Sequence, residues 1–149
     1  MQAWFGGRMG VNVMRKEDCI FCKIANGEIP SGTLYEDERF RVILDLGPAT
    51  RGHALILPKE HVADLFELPE ETAAAAMVLA RKMALRLRDR LGCDGLNVVQ
   101  NNGEAAGQTV SHFHMHLIPR YRGDGQNINW TPTKPGQEEL EAVRKEIAE

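Results

Sequence analysis

The chain has 149 residues, 43% of them hydrophobic and 26% charged, which are the proportions of an ordinary globular domain. A net charge of −3 excludes a broadly basic nucleic-acid binder, and no apolar run reaches the roughly 18 residues that a membrane span needs. Three cysteines, two of them in one Cys-x-x-Cys, fit a reducing, cytoplasmic setting better than a disulfide framework.

Residues 1–17 read as a disordered or cloning-derived extension, because Gly6, Gly7 and Gly10 interrupt them and Met9 and Met14 are alternative starts. They make a poor signal peptide, having no continuous apolar segment. Residues 18–123 form the patterned domain, and 124–149 a polar C-terminal segment with its own helix. Cys19 to Ala25 reads as a short helix stopped by Asn26-Gly27. Leu34–Glu36 and Phe40–Asp45 are strand candidates joined by an Asp37-Glu38 turn, and His53–Leu57 is an apolar strand closed by Pro58.

The long helix begins at Pro69, carries Glu70 and Glu71 at its positive end, and stops at Gly92. Ala76, Met77, Ala80, Met83, Ala84, Leu87 and Leu91 recur along it at helical spacing. A second apolar stripe through Ala74, Val78 and Leu85 calls for a second burial partner, such as another subunit. Leu96–Gln100 is a further strand, Asn101-Asn102-Gly103 a turn, and Glu138–Ala148 a terminal helix.

The segment His112-Phe113-His114-Met115-His116-Leu117-Ile118 alternates strictly. On a strand the three imidazoles share one side, while Phe113, Met115 and Leu117 enter the core. The α-carbons of His112 and His116 would lie roughly 13 Å apart on an unbent strand, too far for all three rings to meet one zinc ion. At least one imidazole is left for other work, as base, proton donor or nucleophile, and the central His114 is the best placed. The preceding Asn101, Gly103, Gly107, Gln108 and Thr109 offer side-chain and backbone donors and read as a phosphate pocket. Separately, Cys19, Cys22, His61 and His112 make up a full tetrahedral set of the kind zinc takes, the alternative being a pair of packed thiols.

The histidine segment resembles the His-φ-His-φ-His-φ-φ signature (φ apolar) of the histidine-triad, or HIT, superfamily. Phe21 and Ile24, Asp45, the run Arg-Gly-His-Ala-Leu-Ile-Leu-Pro around His53, and Gly107-Gln108-Thr109-Val110 stand in the expected order. The Cys-x-x-Cys aligns the chain with the bacterial Hint-like branch. The resemblance implies an α+β fold with about five largely antiparallel strands, one long and one short helix, and a homodimer. It also implies hydrolysis of purine nucleoside phosphoramidates through a covalent nucleotidyl-His114 intermediate. By resemblance, His116 and Thr109 assist His114, and His53 orients it from behind. Asn101 and Gln108 contact phosphate, Asp45 takes the ribose, and Phe21, Ile24 and Leu46 flank the base. Zinc at Cys19, Cys22, His61 and His112 would be structural, with no cofactor in the chemistry. Thr109 stands where the Hint branch usually has serine and agrees with the Fhit branch, which keeps dinucleoside polyphosphate cleavage open. A nucleotide-binding interaction module with little turnover is the rival of a different class.

Overall fold

The computed structural model describes residues 14–148; residues 1–13 of the expected extension lie outside the described residues. Helix α1 (Ile20–Ala25) starts where Cys19 is extended and its sulfur accepts the Cys22 N–H. It ends at Asn26, whose side-chain amide donates to the carbonyls of Cys22 and Lys59. Met14 to Glu17 run against it: the Met14 carbonyl accepts the His61 N–H at 2.7 Å, and the Lys16 N–H points at the Cys22 sulfur.

Strands β1 (Thr33–Glu36) and β2 (Phe40–Leu44) form a hairpin. Asp37 fixes the turn by accepting the N–H groups of Arg39 and Phe40, both at 2.8 Å. Then come β3 (Ala54–Pro58), α2 (Glu70–Leu91), β4 (Gly95–Val99), a 3-10 turn (Glu104–Ala106), β5 (Met115–Arg120) and α3 (Gln137–Ala148). The five strands make one antiparallel sheet in the order β1-β2-β3-β5-β4.

The strand alternation decides which face meets which helix. Val42, Ala54, Ile56, Met115 and Leu117 pack with Phe40 and Phe113 against Ala76, Leu79, Ala80, Met83 and Leu87 of α2. Ile43, Leu55 and Leu57 turn to the other face, under Ala25, Phe21 and Ile24 of α1. The histidines share that second face.

Two features depart from the sequence pattern. Met77, assigned to the core stripe of α2, is 56% exposed, and Leu79 occupies the core instead. The histidine strand also starts late, at Met115 rather than His112. The His112 N–H closes a tight turn onto the Val110 carbonyl, and the Phe113 N–H bonds Val62 outside the sheet. That bend aims the His112 ring away from those of its two companions.

Gly52, just before His53, has φ +90°, and an added Cβ there would run into the Leu91 side chain. Gly52→Ala is expected to destabilise the protein by about 1–3 kcal/mol, mainly through backbone strain at positive φ, since the Leu91 methyl can move aside. Thermal denaturation checks it, and an unchanged Tm would show that this loop yields.

Candidate active site and metal centre

Two clusters of side chains lie on the α1 face of the sheet. In the first, the four donor atoms of Cys19, Cys22, His61 and His112 all lie within 4.8 Å of one another. The His112 Nδ1 is 3.5 Å from both sulfurs, and the His61 Nδ1 is 3.2 Å from the Cys22 sulfur. Zinc–sulfur bonds of about 2.3 Å and zinc–nitrogen bonds of about 2.0–2.1 Å at tetrahedral angles give a sulfur–nitrogen edge of about 3.6 Å. The spacing therefore fits a tetrahedral ion.

The outer contacts fit as well. Pro58 can only accept through its carbonyl, 2.9 Å from the His112 Nε2, so the proton sits on Nε2 and the Nδ1 lone pair faces the thiols. N–H groups of Lys16 and Cys22 point at the two sulfurs. Burial pushes the Cys22 thiol up, and a bound cation reverses that preference by stabilising the thiolate.

The second cluster is His53, His114 and His116, with Asp45 beside it. The His114 Nδ1 lies 2.7 Å from the His112 carbonyl. A carbonyl only accepts, so Nδ1 carries the proton and Nε2 keeps a free lone pair. The Phe21 ring stands edge-on to His114, with centroids 5.0 Å apart at 83°. Thus His112 serves both clusters, by its ring in one and its carbonyl in the other.

His53 contacts His116, with Nε2 to Nδ1 at 2.9 Å, so the orienting role toward His114 that the resemblance implied would pass through His116. The reason lies in the sheet: His116 pairs opposite Leu55 on β3, two residues past His53, so the rings of His53 and His116 meet across the strands. Asp45 is 3.5 Å from His53. This is a contact to a neutral ring, because burial pulls His53 down more than Asp45 raises it.

His116 is pulled down to about 4, first by burial and then by His114 and His53. Its unfolded counterpart titrates near 6.5, so the unfolded chain takes up the proton first as pH falls. The stability this ring contributes is full above 6.5 and lost as pH falls to about 4. The Tm of the wild type is expected to drop more steeply across that window than the Tm of His116→Gln. Parallel curves would contradict it.

Other expected residues occupy different places. The Gln108 side chain is a latch rather than a free phosphate donor: its amide donates to the Ala63 and Val110 carbonyls, and its oxygen accepts the Gly103 N–H. The N–H groups of Ala106, Gly107 and Gln108 are likewise spent inside the 103–108 turn, so these three amides are not turned to an anion. Thr109 is exposed, and Asn101 is half-buried against Gly107. One oxygen of Asp45 caps the turn at Gly47, leaving the other toward His53. Leu46 is 97% exposed, so it belongs to no core, while Phe21 and Ile24 pack on the sheet. Unforeseen in the sequence was the Ala49 N–H, 2.9 Å from the His53 Nδ1. A backbone donor leaves no side-chain signal to find it by.

The HIT domain family profile matches residues 26–123. A HIT family protein of known crystal structure from Bacillus subtilis is 43% identical and superposes with a TM-score of 0.82, covering 89% of this chain and 96% of its own. A zinc-bound histidine triad family protein from Mycobacterium smegmatis is 40% identical, with a TM-score of 0.71 and coverage of 89% and 98%. The adenosine 5′-monophosphoramidase of Schizosaccharomyces pombe is 39% identical over 131 residues, 87% of this chain and 96% of that one. The chain belongs to the HIT family, and its fold is the HIT fold.

Proposed function

We propose that this protein hydrolyses purine nucleoside phosphoramidates, in which AMP or GMP is linked to a small amine, through a nucleotidyl-His114 intermediate. The observation that carries this reading is the 2.7 Å bond holding the His114 Nδ1 to the His112 carbonyl, which leaves Nε2 as a fixed nucleophile. In the first step Nε2 bonds the α-phosphorus and the phosphorus–nitrogen bond breaks, its electron pair leaving with the amine. The His112 carbonyl then faces an imidazolium and stabilises it. In the second step water attacks phosphorus and His114 is released. His116 aims a donor at the phosphoryl oxygens, where negative charge builds up. Asp45 takes the ribose hydroxyls with the oxygen that does not cap the Gly47 turn, and Phe21, Ile24 and Leu46 flank the base. The similarity to an adenosine 5′-monophosphoramidase supports the leaving-group class.

Zinc bound by Cys19, Cys22, His61 and His112 would anchor α1 to the sheet. With four protein ligands it has no open position for water, so its role is structural. The second copy of a homodimer would cover the outer edge of β4, where Val98 is exposed, and Met77 and Val78 on α2.

The test is AMP release from adenosine 5′-phosphoramidate, with the adenylylated peptide identified by mass spectrometry after an acid-free quench. AMP release with the adduct on His114 is expected. No release would overturn the reading; release of AMP from diadenosine polyphosphates alone would move the substrate class to those.

A further inference from the structure

The Asp45–His53–His116 group has the spacing of a metal site, since its donor atoms lie within 4.8 Å of one another. Its hydrogen bonds say otherwise. The Ala49 N–H, which can only donate, points at the His53 Nδ1 from 2.9 Å. His53 must therefore carry its proton on Nε2, where a metal would need a lone pair. That Nε2–H meets the His116 Nδ1 at 2.9 Å, so Nδ1 accepts and the His116 proton sits on Nε2. The chain Ala49 → His53 → His116 runs one way from a backbone amide.

We propose that the Ala49 N–H is a positioning group that fixes the tautomers of His53 and His116, making His116 a standing Nε2–H donor that cannot act as the general acid. The inference rests on the proposed phosphoramidate chemistry for its consequence, but not for its structural half.

The loop is held for this task. The Thr50 hydroxyl bonds the Pro119 carbonyl, and the Tyr121 hydroxyl bonds the Arg51 carbonyl at 2.8 Å. At its ends the Asp45 N–H donates to the His53 carbonyl, and the His53 N–H to Thr50. Pro119 lies in β5 and Tyr121 directly follows it, and β5 also carries His116, so Ala49 and His116 ride on one frame.

Proton balance gives the consequence. When the phosphorus–nitrogen bond breaks, the leaving nitrogen keeps the electron pair and needs one proton. A cationic His116 would turn an Nδ1–H onto the His53 Nε2–H, so the locked ring is neutral. If it gave up its Nε2 proton, it would itself become an imidazolate or draw the proton of the His53 Nε2 onto its Nδ1. In the second case His53 would be the anionic imidazolate, because an amide N–H has no proton to pass on. A buried imidazolate beside Asp45 is strongly disfavoured. The amine therefore takes its proton from water, and the water consumed in the second step returns one to solvent. His116 stabilises phosphoryl charge by hydrogen bonding alone.

The test uses the full-length protein labelled with 15N-histidine, whose ring couplings identify each tautomer. His53 and His116 should both be Nε2–H in the wild type; an Nδ1–H form at His53 would overturn the proposal. Ala49→Pro removes the donor, and should give mixed tautomers at both rings with kcat reduced about 10–100-fold and KM little changed. His53→Gln supplies an amide donor that needs no tautomer lock, so adding Ala49→Pro to it should cost far less than in the wild type. An equal loss in both backgrounds would reduce Ala49 to a packing role and overturn the proposal. If Ala49→Pro does not fold, the wild-type spectrum still decides. The tautomers stand or fall without turnover, so correct tautomers with no phosphoramidate cleavage would sink the substrate reading and leave the lock intact.

Discussion

His114→Ala is expected to lower kcat for adenosine 5′-phosphoramidate by at least about a thousandfold, because the reaction loses its nucleophile rather than an auxiliary contact. The protein should still fold. The change removes one buried ring, its edge contact with Phe21 and its bond to the His112 carbonyl. Leaving that carbonyl short of a donor costs about 1–3 kcal/mol, a visible drop in Tm but not unfolding. Nucleotide affinity should survive, because Asp45 and the base-flanking side chains are untouched. His114→Gly with added imidazole separates lost chemistry from lost structure: a free ring can attack phosphorus from the vacated space, so part of the rate should return with imidazole concentration. A mutant that keeps the wild-type kcat would remove His114 from the reaction. A mutant that loses binding along with rate would show that the ring holds the substrate instead of attacking it.

The long helix and the core side of the histidine strand were readable because the Pro69-to-Gly92 signals and period-two alternation each carry a local physical cause, whereas the five-stranded sheet came with the family resemblance. The gathering of Cys19, Cys22, His61 and His112 into one cluster that could hold a metal was readable from residue type, since thiols beside histidines suit zinc. Other features depend on contacts that no local pattern encodes. The bend at Val110–His112 separates a ring meant for the thiols from two meant for the active site, yet the sequence around it alternates without a break. Gln108 became a latch because its amide reaches Ala63, 45 residues away in sequence. His53 faces His116 because of strand register, and its proton is placed by the Ala49 backbone. In each case the decisive partner is a main-chain group or a distant neighbour, and neither leaves a mark on the side-chain pattern.

Stripping the metal is expected to lower Tm by about 10–20 °C, the scale set by structural zinc sites whose binding energy is folding energy. Helix α1 has six residues, far below the roughly 12–15 that hold a helix together in water. Besides its packing on Leu55 and Leu57 and the bonds from Asn26 to Lys59 and from Arg41 to Ala25, its anchor would be an ion tying Cys19 and Cys22 to His61 and His112. Cys22→Ser should reproduce the loss. Cys93→Ser, outside the cluster, should leave Tm nearly unchanged. Metal analysis of protein prepared without chelator should give one zinc per chain, and cobalt in its place should show thiolate-to-metal charge-transfer absorption that disappears in Cys22→Ser. A metal-free wild type with an undiminished Tm would reduce the four residues to packed thiols and rings. Catalysis should follow stability, but with a link that a purely structural anchor lacks. His112 would offer its ring to the ion and gives its carbonyl to the His114 Nδ1, and Phe21, between the two cysteines, presses edge-on against His114. Loss of the ion therefore frees the residue that orients the nucleophile. Below the apo-protein's Tm, kcat should fall while KM changes little, and zinc should restore it.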